Sequence, residues 1–467
     1  MIIFLANDRP CLFITPRYIV RMTPELTQLF EFLRFPSVST DSRHTGDVRA
    51  CAEWLDAKLT GMGLMSTIHE TAGHPIIVAR NKHVEGKLNV MIYGHYDVQP
   101  VDPLELWASP PFEPVIRDGK IYARGATDNK GQMFAHVLGV EKALAEGELP
   151  VNLTFLFEGE EEIGSKNLTP FLLAHRDELA CDVIAVSDTG MVAPGMPTMG
   201  YGLRGITCGD VIVTGPSSDL HSGVYGGSVM NPSTAVARIV ASLHDADEKV
   251  AIDGFYADVV PLEDWEREAW GKVPFGEKEY LAETGAPASV GEAGYTVAER
   301  LWGRPTAEVN GIGGGYQGEG SKTVIGREAM AKLSFRLVPG QDPEDILDKV
   351  EAHVMAHAPK GVEVKFVRGH SGDPYLNDPH SEYGKAAQAA LESTFDKEPV
   401  LIREGGSIPI INTFKTILGA DSLMLGLAVP GCKIHAPNES FLVENFEAGI
   451  ALNQELIRRL GALGKNS

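Results

Sequence analysis

Leu88-Asn89-Val90-Met91-Ile92-Tyr93-Gly94-His95-Tyr96-Asp97 sets the reading of this chain. Its first six residues form a mostly apolar run of strand length. An unalternated run of that kind is what a strand covered on both faces looks like. Residues 151–157 and 182–186 repeat the pattern. Helical periodicity fills the intervals. Residues 47–60 place Val48, Cys51, Ala52, Leu55 and Leu59 on one face, with Gly61 as the stop, and a second helix is expected over 130–146. Upstream, Thr23 is an N-cap, Pro24 suits the first helical position, and Leu26, Leu29, Phe30 and Leu33 make one stripe. Strands separated by helices predict an α/β domain with a mostly parallel central sheet flanked by helices.

Polar clusters follow these strands. Gly94-His95-Tyr96-Asp97 follows the first, Glu158-Gly159-Glu160-Glu161-Glu162 the second and Ser187-Asp188 the third. His435-Ala436-Pro437-Asn438-Glu439 comes after an apolar strand at 422–427 and a short loop. Asp128-Asn129 sits between strand-like 120–124 and the helix opening at Lys130. In a parallel sheet all carboxyl ends open on one edge, where sites form. Histidines and carboxylates without cysteine suit zinc, manganese or cobalt. Asp97, two positions beyond His95 on extended chain, points the same way and is placed to accept the second imidazole N–H. Singly, each feature has a plainer reading: Asp128 a helix cap, the glutamates a solvated run, His-x-Asp a structural pair. Five candidate ligands on one sheet edge outweigh those readings together.

The texture changes near Gly205. A strand is expected at 207–213 and a helix opening at Asn231-Pro232 with Ala235, Val236, Ile239, Val240 and Leu243 inward. Strict alternation at 332–338 puts Leu333, Phe335 and Leu337 on one face and Lys332, Ser334 and Arg336 on the other. Asp342-Pro343 caps a further amphipathic helix, while 251–320 shows no clear period. The α/β texture resumes after Asp373-Pro374, with helices near 381–394 and 444–460. The expected organisation is a discontinuous catalytic domain, 1–204 and 377–467, interrupted at 205–376 by an α+β two-layer sandwich with one open sheet face.

Bulk properties agree with a globular enzyme. A length of 467 residues exceeds one ordinary core. A formal charge of −22 repels phosphate backbones, which argues against nucleic acid as a partner. Five scattered cysteines without C-x-x-C spacing argue against a disulfide framework or a thiolate zinc site, and a reducing cytoplasm is the expected compartment. No apolar run reaches the roughly 18 residues a membrane helix needs. Residues 1–21 are read as an extension of little structural weight.

Together, Gly94 to Pro100, Gly125-Ala126-Thr127-Asp128-Asn129-Lys130-Gly131, Glu158 to Ser165, Asp219-Leu220-His221-Ser222-Gly223, Gly405-Gly406-Ser407-Ile408-Pro409 and His435 to Glu439 form six ordered motifs. Over about 23–460 they resemble the di-zinc exopeptidase and amidohydrolase family, which includes carnosinase-type dipeptidases, carboxypeptidase G, aminoacylase and succinyl-diaminopimelate desuccinylase. Residues 219–231 and 334–339 resemble the dipeptidase branch most closely. The resemblance implies two divalent metal ions, zinc with manganese or cobalt as alternatives. Asp128 would bridge them, His95 and Asp188 completing one site, Glu162 and His435 the other. Glu161 would be the general base. His221, reaching in from a partner subunit, would stabilise the oxyanion, implying a homodimer joined through the inserted lid domain. Arg336, with Ser407, Gly406 and Thr323, would hold a substrate carboxylate. A cis peptide is expected at Asp128-Asn129. Glu160 and Ile163 depart from the family pattern and are expected to reshape the pocket. The expected activity is hydrolysis of dipeptides or short peptides with a free C-terminal carboxylate; the alternative is an N-acyl- or N-succinyl-amino-acid deacylase. A metal-binding but inactive scaffold is the reading from another class, and the presence of Glu161 speaks against it.

Overall fold

The structure, a computed structural model, describes residues 21–406 and 408–464. The first helix, Pro24–Leu33, begins where Thr23 accepts the Leu26 N–H and buries Leu26, Leu29, Phe30, Phe32 and Leu33. Among the described residues the largest sheet has nine strands. Eight follow in the order Met65–His69, Ile76–Arg80, Asn152–Glu158, Asn89–His95, Val183–Val186, Asp421–Gly426, Thr198–Leu203 and Tyr375–Leu376; Val400–Glu404 pairs with Thr198–Leu203. The four strands from Asn152–Glu158 to Asp421–Gly426 run parallel. The flanking pairings are mostly antiparallel, with Val400–Glu404 again parallel.

The apolar runs are covered on both faces. Val90, Ile92, Phe155, Val183, Ala185 and Leu423 pack under helices that include Thr45–Gly61, Lys130–Glu146 and Val443–Leu463. Met91, Tyr93, Leu156, Ile184, Val186 and Met424 face Leu168, Phe171, Ile410, Ile411 and Phe414 on the other side. Phe134, fully buried in the first of these layers, is worth about 3–5 kcal/mol against alanine.

A second core lies in the middle of the chain. Strands Thr306–Gly314, Glu328–Leu337, Gly205–Thr214 and Glu363–Gly372 form an antiparallel sheet in that order. Val211, Val213, Ala331, Leu333, Phe335 and Leu337 meet Ala235, Val236 and Ile239 of helix Pro232–Ala241, and Ile346, Leu347 and Val350 of helix Pro343–Ala356. Asn231 and Asp342 cap these helices as expected.

Two segments depart from a division at 205 and 376. Helices Asp264–Trp270 and Val297–Gly303 lie in the aperiodic stretch, yet Trp270 and Trp302 pack with Tyr201 and Ile402 of the large sheet. Glu266 pairs with buried Arg403 at 2.6 Å and accepts the Tyr201 hydroxyl. Tyr375–Leu376 also joins the large sheet. These helices are short, and long-range packing rather than local period holds them. No helix among the described residues is long and apolar enough to cross a membrane.

Candidate metal centre

Parallel pairing sets His95 directly opposite Glu158, each the last residue of its strand. Glu161 and Glu162 follow on the short helical turn Glu161–Ile163, and Asp188 lies two residues past strand Val183–Val186. Asp128 lies two residues before helix Lys130–Glu146, joined by a cis peptide to Asn129, the N-cap. Two glycines permit this approach. A Cβ on Gly94 would lie 2.5 Å from Met133 Cγ, and one on Gly131 would lie 1.9 Å from the Ala126 carbonyl oxygen.

Asp128 is central. Its Oδ1 lies 3.2 Å from His95 Nε2, and its Oδ2 lies 2.8 Å from His435 Nε2. Asp188 Oδ2 is 3.7 Å from His95 Nε2, and Glu162 Oε2 is 3.3 Å from His435 Nε2. His95, Asp128 and Asp188 thus form one group able to hold a cation, and Asp128, Glu162 and His435 another, sharing one carboxylate. The donor set fits divalent cations. His95 Nε2 and Glu162 Oε1 are buried without a hydrogen-bond partner, at the place where the carboxylate oxygens and imidazole nitrogens converge.

The electrostatics point the same way. With protein atoms alone, the Asp128 and Glu162 carboxylates draw a proton onto His435 and raise it to about 10. Burial opposes charge on His95, but Asp128, Asp188 and Asp97 outweigh it and raise that group also. Burial lifts Asp188 to about 6. Burial, reinforced by the charges of Asp188, Glu162 and Asp128 against the opposing His95, pushes Glu161 well above the usual carboxylate range. Acidic groups crowded in low dielectric favour any cation that can enter.

A further layer holds these groups. His95 Nδ1 is 3.3 Å from Asp97 Oδ1, and Asp97 also accepts the Glu161 and Glu162 N–H groups at 3.3 and 3.1 Å. Asn129 donates to the Ser187 carbonyl and to Asp188 Oδ1 at 2.6 and 2.8 Å, tying two strand ends together. Gln99 donates to Glu162 Oε2 at 2.7 Å. Glu439 receives Arg124 and the backbone of the Asp128 loop. Asn129, Gln99, Arg124 and Glu439 had no role assigned from sequence, because nothing in local spacing marks a contact between residues so far apart.

The three consecutive glutamates separate. Glu160 is buried and accepts the His74 N–H and the Asn167 amide, so its carboxylate clamps neighbouring loops. That is the structural use of the departure noted at this position.

The remaining candidates lie elsewhere. His221 is exposed, ends the short strand Leu220–His221 and accepts the Gly223 N–H at 3.0 Å. Thr323 is beside it, its carbonyl accepting the Ser222 N–H. Neither joins the two cation groups. Arg336 stands half-buried on the open face of the four-stranded sheet, opposite Ile206 and Thr306. Burial and the neighbouring Arg336 charge lower Arg204 to about 10, and Arg204 donates to the Gly405 carbonyl at 2.8 Å. Gly406 is exposed beside this contact; Ser407 lies outside the described residues.

The profile of peptidase family M20/M25/M40 matches residues 91–459. The Cys-Gly metallodipeptidase DUG1 of Saccharomyces cerevisiae is 31% identical over 447 residues, covering 91% of this chain and 92% of that one. The human Beta-Ala-His dipeptidase is 30% identical over 386 residues, covering 81% and 76%. Among solved structures, the M20 family metallo-carboxypeptidase Sso-CP2 from Sulfolobus solfataricus superposes with a TM-score of 0.83 at 32% identity, covering 94% of this chain and 100% of that one. Human carnosine dipeptidase 1 gives 0.80 at 27%, covering 94% and 96%. A profile match across most of the length, a shared architecture and a divalent-metal donor set converge: the chain belongs to peptidase family M20/M25/M40 and is a metal-dependent peptidase.

Proposed function

We propose that this enzyme cleaves the amide bond of dipeptides or short peptides that carry a free C-terminal carboxylate. The observation that supports it best is Asp128, which offers one oxygen beside each of two histidines and so suits a pair of cations. In this reading His95 and Asp188 hold one ion and Glu162 and His435 the other, zinc being the first choice and manganese or cobalt the alternatives. Bound there, divalent cations lower the pKa of water and polarise a carbonyl. Asp97 keeps the His95 ring oriented through Nδ1. Glu161, on the same turn as Glu162, accepts the proton of the attacking water and returns it to the leaving amine. Arg336 grips the substrate carboxylate, with Gly406, Ser407 and Thr323 completing that end.

His221 is exposed on the middle unit and belongs to neither cation group. We assign it the oxyanion contact, made from a partner subunit in a homodimer joined through 205–376. The reading also divides the chain into a catalytic unit, 1–204 with 377–467, and that insert; the separate apolar core around Phe335 supports the division. A cytoplasmic location fits Cys51, Cys181, Cys208 and Cys432, all unpaired. DUG1 and the mouse Beta-Ala-His dipeptidase, both 31% identical, are dipeptidases by name and Sso-CP2, 32% identical, is a carboxypeptidase, so the deacylase reading is not favoured.

The test is removal of metal, reconstitution separately with zinc, manganese and cobalt, and assay against dipeptides and N-acetyl and N-succinyl amino acids. Metal-dependent turnover of dipeptides is expected. Turnover confined to the acylated amino acids would overturn the substrate assignment, and undiminished activity after exhaustive chelation the metal assignment.

A further inference from the structure

Glu439 is fully buried, and donors from one short stretch fill both of its oxygens. Oε1 accepts the Thr127 N–H at 2.8 Å and the Asp128 N–H at 3.0 Å. Oε2 accepts the Gly125 N–H at 3.0 Å and the Arg124 guanidinium at 2.7 Å. These partners are 311 to 315 residues away in sequence. Thr127 Oγ1 also donates to the Ser440 carbonyl at 2.8 Å, so the two loops are stitched on both sides of the carboxylate. A metal ion is not what this carboxylate faces, since three backbone N–H groups and the Arg124 guanidinium already point at it.

The two loops it joins each carry a ligand of the shared cation group. Asp128 is on one, and His435 is on the other, four positions before Glu439. The second loop is otherwise held by the Ser440 N–H on the Cys432 carbonyl at 2.8 Å, by Asn438, whose Nδ2 donates to the Leu106 carbonyl and whose Oδ1 accepts the Ala108 N–H, both at 2.8 Å, and by strand Ser440–Leu442, which pairs with Lys120–Tyr122 beyond the carboxylate. We propose that Glu439 is a positioning residue: it locks the 124–128 loop against the 432–440 loop, so that Asp128 turns one oxygen to His95 and the other to His435. The inference rests on the metal-binding reading above. Arg124, buried and also bonded to the Pro100 carbonyl at 2.9 Å, sets the opposite charge against Glu439 and is itself fixed in place.

Glu439→Asp isolates the effect, because it keeps the charge for Arg124 but withdraws the carboxylate by one methylene. Cobalt(II) serves as the probe, read by titration and by its visible absorption. We expect affinity to fall about 10–100-fold, as for other groups that orient ligands, with an altered spectrum. At saturating cobalt, kcat for a dipeptide should fall while KM stays. The thermal midpoint of the metal-free protein should fall as well, because the buried N–H groups of Gly125, Thr127 and Asp128 lose part of their acceptor, so affinity is read at a temperature where both proteins are fully folded. The double variant Arg124→Gln/Glu439→Gln, which removes both buried charges together, gives the same readout if the aspartate variant fails to fold. A folded variant of either kind with wild-type cobalt affinity and spectrum would overturn the proposal and reduce Glu439 to a structural ion pair. Wild-type protein that takes up no cobalt would instead sink the metal-binding reading.

Discussion

Glu158 allows a quantitative test of how burial acts on the floor of the site. It ends its strand opposite His95 and is 1% exposed. Its Oε1 accepts the Tyr93 and Ser165 hydroxyls at 2.7 and 2.9 Å, while Oε2 is buried with no partner. Burial outweighs those two donors and, with the Asp97 charge adding to it, lifts the carboxyl from 4.5 to about 7. At 1.36 kcal/mol per pH unit, ionising it in the folded protein costs about 3 kcal/mol more than in the unfolded chain. The sign follows directly. A folded value above the unfolded one contributes stability that is complete below 4.5 and lost as pH rises through about 7. Glu158→Gln keeps the acceptor for both hydroxyls and cannot ionise. Its amide hydrogens meet the same empty surroundings as Oε2, a penalty of about 1–3 kcal/mol that does not vary with pH. The diagnostic is therefore the change with pH. In chelated protein, the variant should gain about 2–3 kcal/mol on wild type between about pH 5 and about pH 8. Thermal midpoints followed by circular dichroism should show this as a relative rise of roughly 5 °C, given about 2–4 °C per kcal/mol. An offset between variant and wild type that is the same at both pH values would refute the reasoning, because it would mean that Glu158 ionises as easily inside as outside.

Three further outcomes are expected. Glu161→Gln should retain full metal content by elemental analysis and lose about 10²–10⁴-fold in kcat, the usual contribution of a general base; a tenfold or smaller loss would remove it from that role. His435 is raised to about 10 by Asp128 and Glu162, so cation entry must displace a proton; zinc affinity of the stripped protein should climb from pH near 6.5 towards 10, and the histidine's contribution to metal-free stability should decline over the same window. A titration that is flat across that range would contradict the arrangement. Arg336→Ala should lose a charge-assisted contact worth about 1.5–3 kcal/mol, raising KM for dipeptides roughly tenfold to a hundredfold, while dipeptide amides, which lack the carboxylate, should be little affected. Equal effects on acid and amide substrates would separate Arg336 from the carboxylate.

The catalytic sheet was legible because its strands are covered on both faces. Apolar runs such as Val90 to Tyr93 and Phe155 to Phe157 leave few other structures, and the polar residue that ends each run is forced to one rim. The helix starts at Thr23, Asn231 and Asp342 were equally readable, since a side chain bonding two or three residues ahead is a local event. The antiparallel edges and the packing of Trp270 and Trp302 on Tyr201 were not, because a short helix held by distant aromatics carries no period of its own.

Within the site, the chain order determined which side chains are offered: histidines and carboxylates, cysteine-free, after strands. Tertiary structure alone decided how they are used. It split Glu160, which clamps loops, from Glu162, which joins Asp128 and His435 in a group able to hold a cation, and from Glu161, which feels the charges of His95 and Asp188. It also set Glu439 against the backbone of Asp128, 311 positions away. The physical reason is range. Propensity, capping and burial periodicity act over a few residues and leave marks in the sequence, whereas a carboxylate's partner is chosen by whichever N–H the folded chain brings within about 3 Å.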